Sequence, residues 1–391
     1  MIKANNRRNM QRRYDMKIEH TQIKNPAFCG ERCYVHARGH IMPDGFGVMT
    51  MQKLELTGCD VFYGLEMTKT NDFGKSFSPV VDCKKLKRQY FEDGTSVAIC
   101  DATPSYHKAT GKIILVGQTA RYGADNALMK DPRPRATAYA VYDEATGDFS
   151  DFKLLEMPDN DTYFSSGAGS GQILETESGE LLIPFYYQTF EQAHDSWHSC
   201  YSVAVARCSF DGSEMKVLEI GNSISVVPPR GLCEPSIVKF GGKYVFALRN
   251  DLSGYVCSSE DGVHLGEPKE LCFDDGENSG NYCTQTHWIV GGGKLWLVYN
   301  RRGANNDYVT RHRAPLFIAE FDTERMCLIR ETEEIVVPNR GARLGNFGCQ
   351  SFSDEVGYVY AAEWMQGPKK WQGCMEYGSD NTVWVAKITF D

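Results

Sequence analysis

Thr70-Asn71-Asp72-Phe73-Gly74-Lys75-Ser76-Phe77 follows directly on a strand-like run from Val61 to Met67. These residue types in this order ask for a tight hairpin turn. The Asp carboxylate can hydrogen-bond the turn's own backbone, Gly supplies a positive φ, and the aromatic returns to the core. Looser copies recur at Tyr142-Asp143-Glu144-Ala145-Thr146-Gly147-Asp148-Phe149, Ser209-Phe210-Asp211-Gly212, Ser258-Ser259-Glu260-Asp261-Gly262 and Phe321-Asp322. Their Asp residues lie 71, 68, 50 and 61 positions apart. A period of about 60 suits a four-stranded propeller blade with generous loops. Five unrelated turns in an all-β protein would use the same residue types, but the regular spacing favours a repeat.

Around these turns, alternation and turn punctuation mark six groups of strands. They cover Gly45 to Phe77; Val97 to Ala102 with Lys112 to Gln118 and Ala136 to Tyr142; and Leu181 to Tyr187 with Tyr201 to Phe210. The remaining groups are Pro235 to Ser259; Thr284 to Val290 with Lys294 to Asn300 and Pro315 to Phe321; and Gly345 to Phe352 with Tyr358 to Trp364 and Thr382 to Phe390. No long amphipathic helix separates them, which counts against a parallel α/β fold. The expected fold is therefore all-β, a six-bladed propeller of four-stranded antiparallel blades, with seven blades as the alternative. Residues 1–25 read as an N-terminal tail and 26–391 as one propeller domain. The early strand Tyr34 to Ile41 is expected to pair with the last blade and close the ring, removing exposed sheet edges.

The 391 residues carry 42 basic and 51 acidic side chains, a net charge of −9. No global basic field exists to attract nucleic acid or an anionic membrane, so an anionic ligand needs a local arginine cluster. Met1 to His20 is polar and basic with no apolar run for a signal segment, and nothing approaches a membrane span. Fourteen cysteines, many within strand patterns, then read as buried free thiols of a reduced, cytoplasmic protein. Cys29-Gly30-Glu31-Arg32-Cys33 lacks a second matching pair, so zinc is not expected there.

The repeated turns resemble the Asp-boxes (BNR repeats) of the sialidase superfamily. Glu234-Pro235-Ser236-Ile237-Val238, followed by Gly241-Gly242-Lys243-Tyr244 and Arg249, is similar to a run found in sialidase-like propellers. Arg313-Ala314-Pro315-Leu316-Phe317-Ile318-Ala319 is similar to the later arginine strand of that group. Two further segments resemble propeller polysaccharide lyases, the ulvan and rhamnosyl-glucuronate lyases. They are Tyr106 to Lys112 with Gly117-Gln118-Thr119-Ala120-Arg121-Tyr122, and Leu181 to Tyr187 with Arg207 on the next strand. The resemblance implies an elimination site built from Tyr187, Arg207 and a His, but Gln118 stands where that His is expected.

A propeller gathers inner strands around one axis, so distant residues can share one mouth. Arg38, Arg249 and Arg313 fall in three blades and form a candidate clamp for a sugar carboxylate, with bidentate, charge-assisted contacts. Arg207, Gln118 and Arg121 are further candidates for substrate binding. As acid–base or nucleophilic groups the candidates are Glu234, where sialidases keep a glutamate that polarises a tyrosine, together with Asp60, Asp101, Tyr187 (or Tyr186) and His40. The bland reading of each is a strand-end ion pair, a turn cap or a core aromatic. His194 and His198 have an i, i+4 spacing that could hold a metal but lack a third ligand pattern. Trp288, Trp296, Trp364 and Trp371 could offer a sugar platform, the first two being better suited to the core.

The expected function is a cofactor-free carbohydrate-active enzyme cleaving a glycosidic bond at an acidic sugar, sialic or uronic, within an oligosaccharide or simple glycoside. Elimination at a uronate by a lyase is the alternative chemistry, and a non-catalytic glycan-binding propeller is the alternative class. The sequence leaves the sugar, the linkage and the oligomeric state open.

Overall fold

A computed structural model describes residues 16–56, 60–195, 200–226 and 229–391. Six small antiparallel sheets form a six-bladed β-propeller. The first blade is Arg32–Ile41, Gly47–Glu55, Phe62–Thr70 and Val81–Asp82. The second is built on Ser96–His107, Lys112–Tyr122 and Thr137–Asp143. In the third, a broken inner strand (Ser165–Gly167, Leu174–Glu175) pairs with Leu181–Gln188, followed by Ser202–Phe210 and Met215–Ile220. The fourth and fifth begin at Cys233–Phe240 and His287–Gly291. The sixth runs Gly348–Ser351, Val356–Ala362, Val383–Phe390 and then Met16–Ile23.

The last pairing corrects two expectations. Met16–Ile23 pairs along its length with Val383–Phe390, so the chain enters the propeller well before residue 25. That strand closes the ring, whereas Arg32–Ile41 is the inner strand of the first blade. The reason is pairing: Met16–Ile23 is polar on one side, as an outermost strand can be, while Arg32–Ile41 is almost wholly buried.

The five Asp turns occupy one place in the architecture. Asp72, Asp143, Asp211, Asp261 and Asp322 each stand at the connection from the third to the fourth strand of blades one to five. The sixth blade takes its fourth strand from the N-terminal side of the chain and has no such connection. In the first, Asp72 Oδ1 accepts from the Ser76 backbone N–H at 2.9 Å and from Thr70 Oγ1 at 2.8 Å. Asp261 is similarly bound by Val263 N–H and His264 N–H, both at 2.8 Å.

Apolar faces of adjacent blades pack on each other. Leu65 and Met67 of the first blade meet Ile113 and Leu115 of the second, and Trp296 and Val298 of the fifth meet Val359 and Ile388 of the sixth. The inner strand of the third blade escapes an alternation test because Ser165-Ser166-Gly167-Ala168-Gly169-Ser170-Gly171 has no large apolar residue. Its glycines admit the neighbours: a Cβ on Gly169 would sit 2.5 Å from Gln118 Cδ, and one on Gly171 2.3 Å from the Pro235 carbonyl oxygen.

Side chains plug the axis. Arg38, fully buried, donates from Nη2 to Ser170 Oγ at 2.8 Å and from Nε to the Phe347 carbonyl at 3.2 Å. Gln172 reaches from the third blade to the fifth, bonding both backbone groups of Trp288, at 2.7 and 3.0 Å.

Candidate active site

Within or just before each inner strand stands a non-glycine residue in the left-handed region: His36, Asp101, Ser170, Glu234, Cys283 and Asn346, one per blade, with φ between 45° and 66°. In the first, second and fourth blades these residues sit in bulges, where the register shifts between Val35 and Arg38, Cys100 and Thr103, and Cys233 and Ser236. Such conformations cost about 1–3 kcal/mol each and persist where surrounding structure enforces them, often at functional sites. Here they turn polar side chains toward one end of the axis.

That end holds a cavity of about 170 Å³. Arg133, Arg135, Arg230, Arg249, Arg311, Arg313 and Arg343 line it, together with Asp60, Asp101 and Glu234. Tyr186, Gln118, Asn346, Phe62 and Trp364 complete most of the wall. Seven guanidinium groups against three carboxyls make a strongly positive pocket on an acidic protein.

The carboxyls differ in environment. Asp60 is pushed above the usual carboxylate range, first by burial and then by the charge of Asp101, against the pull of Arg343, Arg313 and Arg133. Asp101 goes the other way. Burial opposes its ionisation, but His36, Arg38, Ser170 and Gln118 together hold it below the usual range. Its Oδ1 accepts from Ser170 Oγ at 2.9 Å and lies 3.1 Å from His36 Nδ1, while Oδ2 accepts from Gln118 Nε2 at 3.0 Å. Glu234 Oε1 accepts from Arg249 Nη1 at 2.6 Å, and its buried Oε2 has no partner among the described residues. The Nε atoms of Arg249 and Arg313 are likewise buried without a partner. Arg313 donates to the Cys283 carbonyl and to Asn346 Oδ1. Burial, with Arg249 and Arg343 nearby, pushes its pKa down to about 9. Unmatched buried N–H and carboxylate groups converging on one cavity are the polar anchors a ligand would use.

The site residues expected from sequence divide into two groups. Arg249, Arg313, Glu234, Asp60, Asp101 and Gln118 come together at this cavity. Arg38 does not join its wall, being sealed in the axis below Asp101, 3.8 Å from Oδ1. Tyr187 is a core residue of the third blade, its hydroxyl 2.6 Å from Ser223 Oγ. The strand alternation turns its neighbour Tyr186 to the cavity instead, where the Tyr186 hydroxyl accepts from Arg135 Nη1 at 2.7 Å. Arg207 does not meet Tyr187. The register pairs Tyr187 with Ser202 and Arg207 with Leu182, and Arg207 is held on the half-exposed blade surface by Glu219 and Glu180, at 2.6 and 3.4 Å. Arg121 lies beyond the lining residues of its strand. His40 faces a separate cavity of about 680 Å³ at the other end of the inner strands, with Tyr106, Lys108 and Glu175. Two residues along the strand carry it past the Arg38 plug.

Of the candidate metal pair, His198 lies outside the described residues, and His194 Nδ1 is 2.7 Å from the Phe190 carbonyl. No group of three potential metal ligands occurs among the described residues. Trp288 and Trp296 are buried in the core and Trp364 lines the cavity, under the Arg343 guanidinium at 3.6 Å. His36, Arg133, Arg135, Arg230, Arg311 and Arg343 were not expected. All of these arginines but Arg343 stand beside Pro or Gly or within short Arg-x-Arg runs (Arg133-Pro134-Arg135, Arg230-Gly231, Arg311-His312-Arg313), a signal available in the sequence.

No protein-family model and no curated protein sequence matches this chain. Solved structures do. A protein of unknown function from Dyadobacter fermentans is similar over 96% of this chain and 99% of its own, with a TM-score of 0.66 and 12% identity. Trypanosoma rangeli sialidase is similar over 95% of this chain at a TM-score of 0.60 and 11% identity, and one of its structures holds sialic acid. The Hadza microbial sialidase Hz136 aligns over 90% of this chain at a TM-score of 0.56 and 11% identity. This chain spans 59% and 65% of the lengths of those two sialidases. At such identities the shared property is the sialidase-like propeller fold.

Proposed function

We propose that this chain is a glycoside hydrolase that cleaves a bond to an acidic sugar, a sialic or uronic acid. One observation carries the reading: Asp60, a carboxyl whose surroundings favour its protonated form, faces an arginine-lined cavity that also holds Glu234 with an uncommitted oxygen. Arg249 and Arg313, both in the cavity wall, bind the sugar carboxylate. Asp60 gives its proton to the departing glycosidic oxygen as that bond to the anomeric carbon breaks. Glu234 takes a proton from the water whose oxygen attacks the same carbon. Asp101, with both oxygens already bound, serves to hold Gln118 and the inner-strand bulges in place.

Elimination is less well supported, because Gln118 offers an amide where that chemistry would want an imidazole, and this amide is spent on Asp101. The test is incubation with sialosides, glucuronides and uronate-containing oligosaccharides, followed by product analysis. Free reducing sugar without an ultraviolet-absorbing unsaturated product is expected. An unsaturated product would replace hydrolysis by elimination, and tight binding without any product would make the chain a glycan-binding propeller.

A further inference from the structure

The cavity's positive charge exceeds what one sugar carboxylate can answer, and the surplus lies on two opposite walls. Three of its seven arginines already have acids. Arg249 is held by Glu234 at 2.6 Å, Arg230 by Asp251 at 3.7 Å and Arg133 by Asp131 at 3.5 Å. Among the described residues neither Arg135 nor Arg313 is in an ion pair with a carboxylate; tyrosines and a cysteine act on Arg135, and other arginines, Cys283 and, at longer range, Asp60 act on Arg313.

These two belong to different parts of the ring. Arg313 sits where the fifth blade meets the sixth, between the Cys283 carbonyl and Asn346. Arg135 leads into Thr137–Asp143 of the second blade and lies on the third, its guanidinium 4.2 Å above the Tyr186 ring and 5.1 Å from that of Tyr201. In a six-membered ring, the seam of blades two and three faces the seam of blades five and six. A carboxylate bound at Arg313 leaves Arg135 buried without a counter-ion, which is costly for a desolvated cation. Both guanidiniums border one small cavity, so one ligand can reach both.

We infer that the sugar bound here carries a second anionic group, a sulfate or phosphate ester, which Arg135 receives while Arg313 and Arg249 receive the carboxylate. This rests on the acidic-sugar reading above. Tyr186 then has a defined part: its hydroxyl accepts from Arg135 Nη1 at 2.7 Å and fixes the guanidinium plane in the cavity wall, ready for the ester oxygens.

The experiment is titration calorimetry of the full chain with N-acetylneuraminic acid, glucuronic acid, and the monosulfated and monophosphorylated derivatives of each. At least one doubly anionic sugar is expected to bind about tenfold or more tightly than its parent, the usual worth of a charge-assisted contact. Arg135→Gln should reduce that preference, read as the ratio of derivative to parent affinity, to about twofold or less, and Arg313→Gln should weaken parent and derivative alike. Arg135→Lys keeps the charge and should retain part of the preference, and melting curves on every variant confirm folding. The sulfo and phospho arms separate the two esters. If parents bind and no derivative binds more tightly, or if Arg135→Gln leaves the preference intact, the second anion site is wrong and the acidic-sugar reading stands. If no sugar in the panel binds, both fall.

Discussion

Asp60 and Asp101 border one cavity, and their acidities are pushed in opposite directions. Asp60 is raised by burial and by the negative charge of Asp101, whereas Asp101 is lowered because His36, Arg38, Ser170 and Gln118 outweigh its own burial. Two carboxyls driven apart in this way give an acid that keeps its proton where its neighbour has lost one. Hydrolysis should therefore fall as pH rises through the elevated Asp60 pKa. Asp60→Asn should lower kcat by about a hundredfold or more, the usual contribution of a general acid, and abolish that alkaline limb. The sign for stability is opposite. A carboxyl raised in the folded state destabilises the fold above its unfolded pKa, so Asp60→Asn should melt higher than the parent at neutral pH. A pH–rate profile and a melting curve on the same variant check both, and unchanged kcat removes Asp60 from the chemistry.

Tyr186 and Tyr187 are adjacent, yet they should behave as different kinds of residue. Tyr187→Phe loses the 2.6 Å contact with Ser223 Oγ, worth about 1 kcal/mol of stability, and leaves kcat/KM as it was. Tyr186→Phe frees Arg135 from its 2.7 Å hydrogen bond and should weaken binding of the doubly anionic sugar by about tenfold relative to its parent, with little change in melting temperature. Denaturation curves set beside steady-state kinetics for the two variants decide this, and a reversed pattern would return Tyr187 to the site.

Acid should unfold this propeller early. Burial pushes His36 down to about 4 and His287 down to about 3, so both are neutral in the fold at pH values where the unfolded chain, with an ordinary His pKa of about 6.5, is protonated. The unfolded state then binds more protons, and stability is lost as pH falls from about 6.5 toward 4, by about 1.4 kcal/mol per pH unit for each such histidine. His36→Gln should reduce the slope of unfolding free energy against pH by about one proton's worth. Urea titrations across that window give the slope directly. A flat dependence in the parent would show that these histidines are not the acid-sensitive groups.

Deleting residues 16–23 should open the ring. The strand they form covers Val383–Phe390 through eight paired positions, and its loss leaves that strand as a bare edge able to pair with other chains. The melting temperature is expected to drop by about 10 °C or more, with concentration-dependent association by light scattering. A deletion variant that stays monomeric and melts normally would mean that closure contributes little.

The sequence alone carried the blade plan, because a hairpin turn is a local device. Thr70, Asp72, Gly74 and Ser76 bond to one another within a few residues, so their pattern survives in the linear text, and its repetition marks five of the six blades. Glu234, Arg249 and Arg313 were legible for the same reason, each sitting in a short run with a recognisable order of residue types. Tertiary structure decided the rest. Which of Tyr186 and Tyr187 faces the cavity depends on register, which a one-residue shift reverses. Whether Arg38 reaches ligand or plugs the axis depends on Ser170 and Phe347, 132 and 309 positions away. The strand that closes the ring was hidden because a half-exposed outer strand of mixed polarity, MKIEHTQI, reads locally as tail. The upward shift of the Asp60 carboxyl arises only when folding desolvates it and brings the charge of Asp101 to bear, and no local pattern of residues records a change in dielectric surroundings.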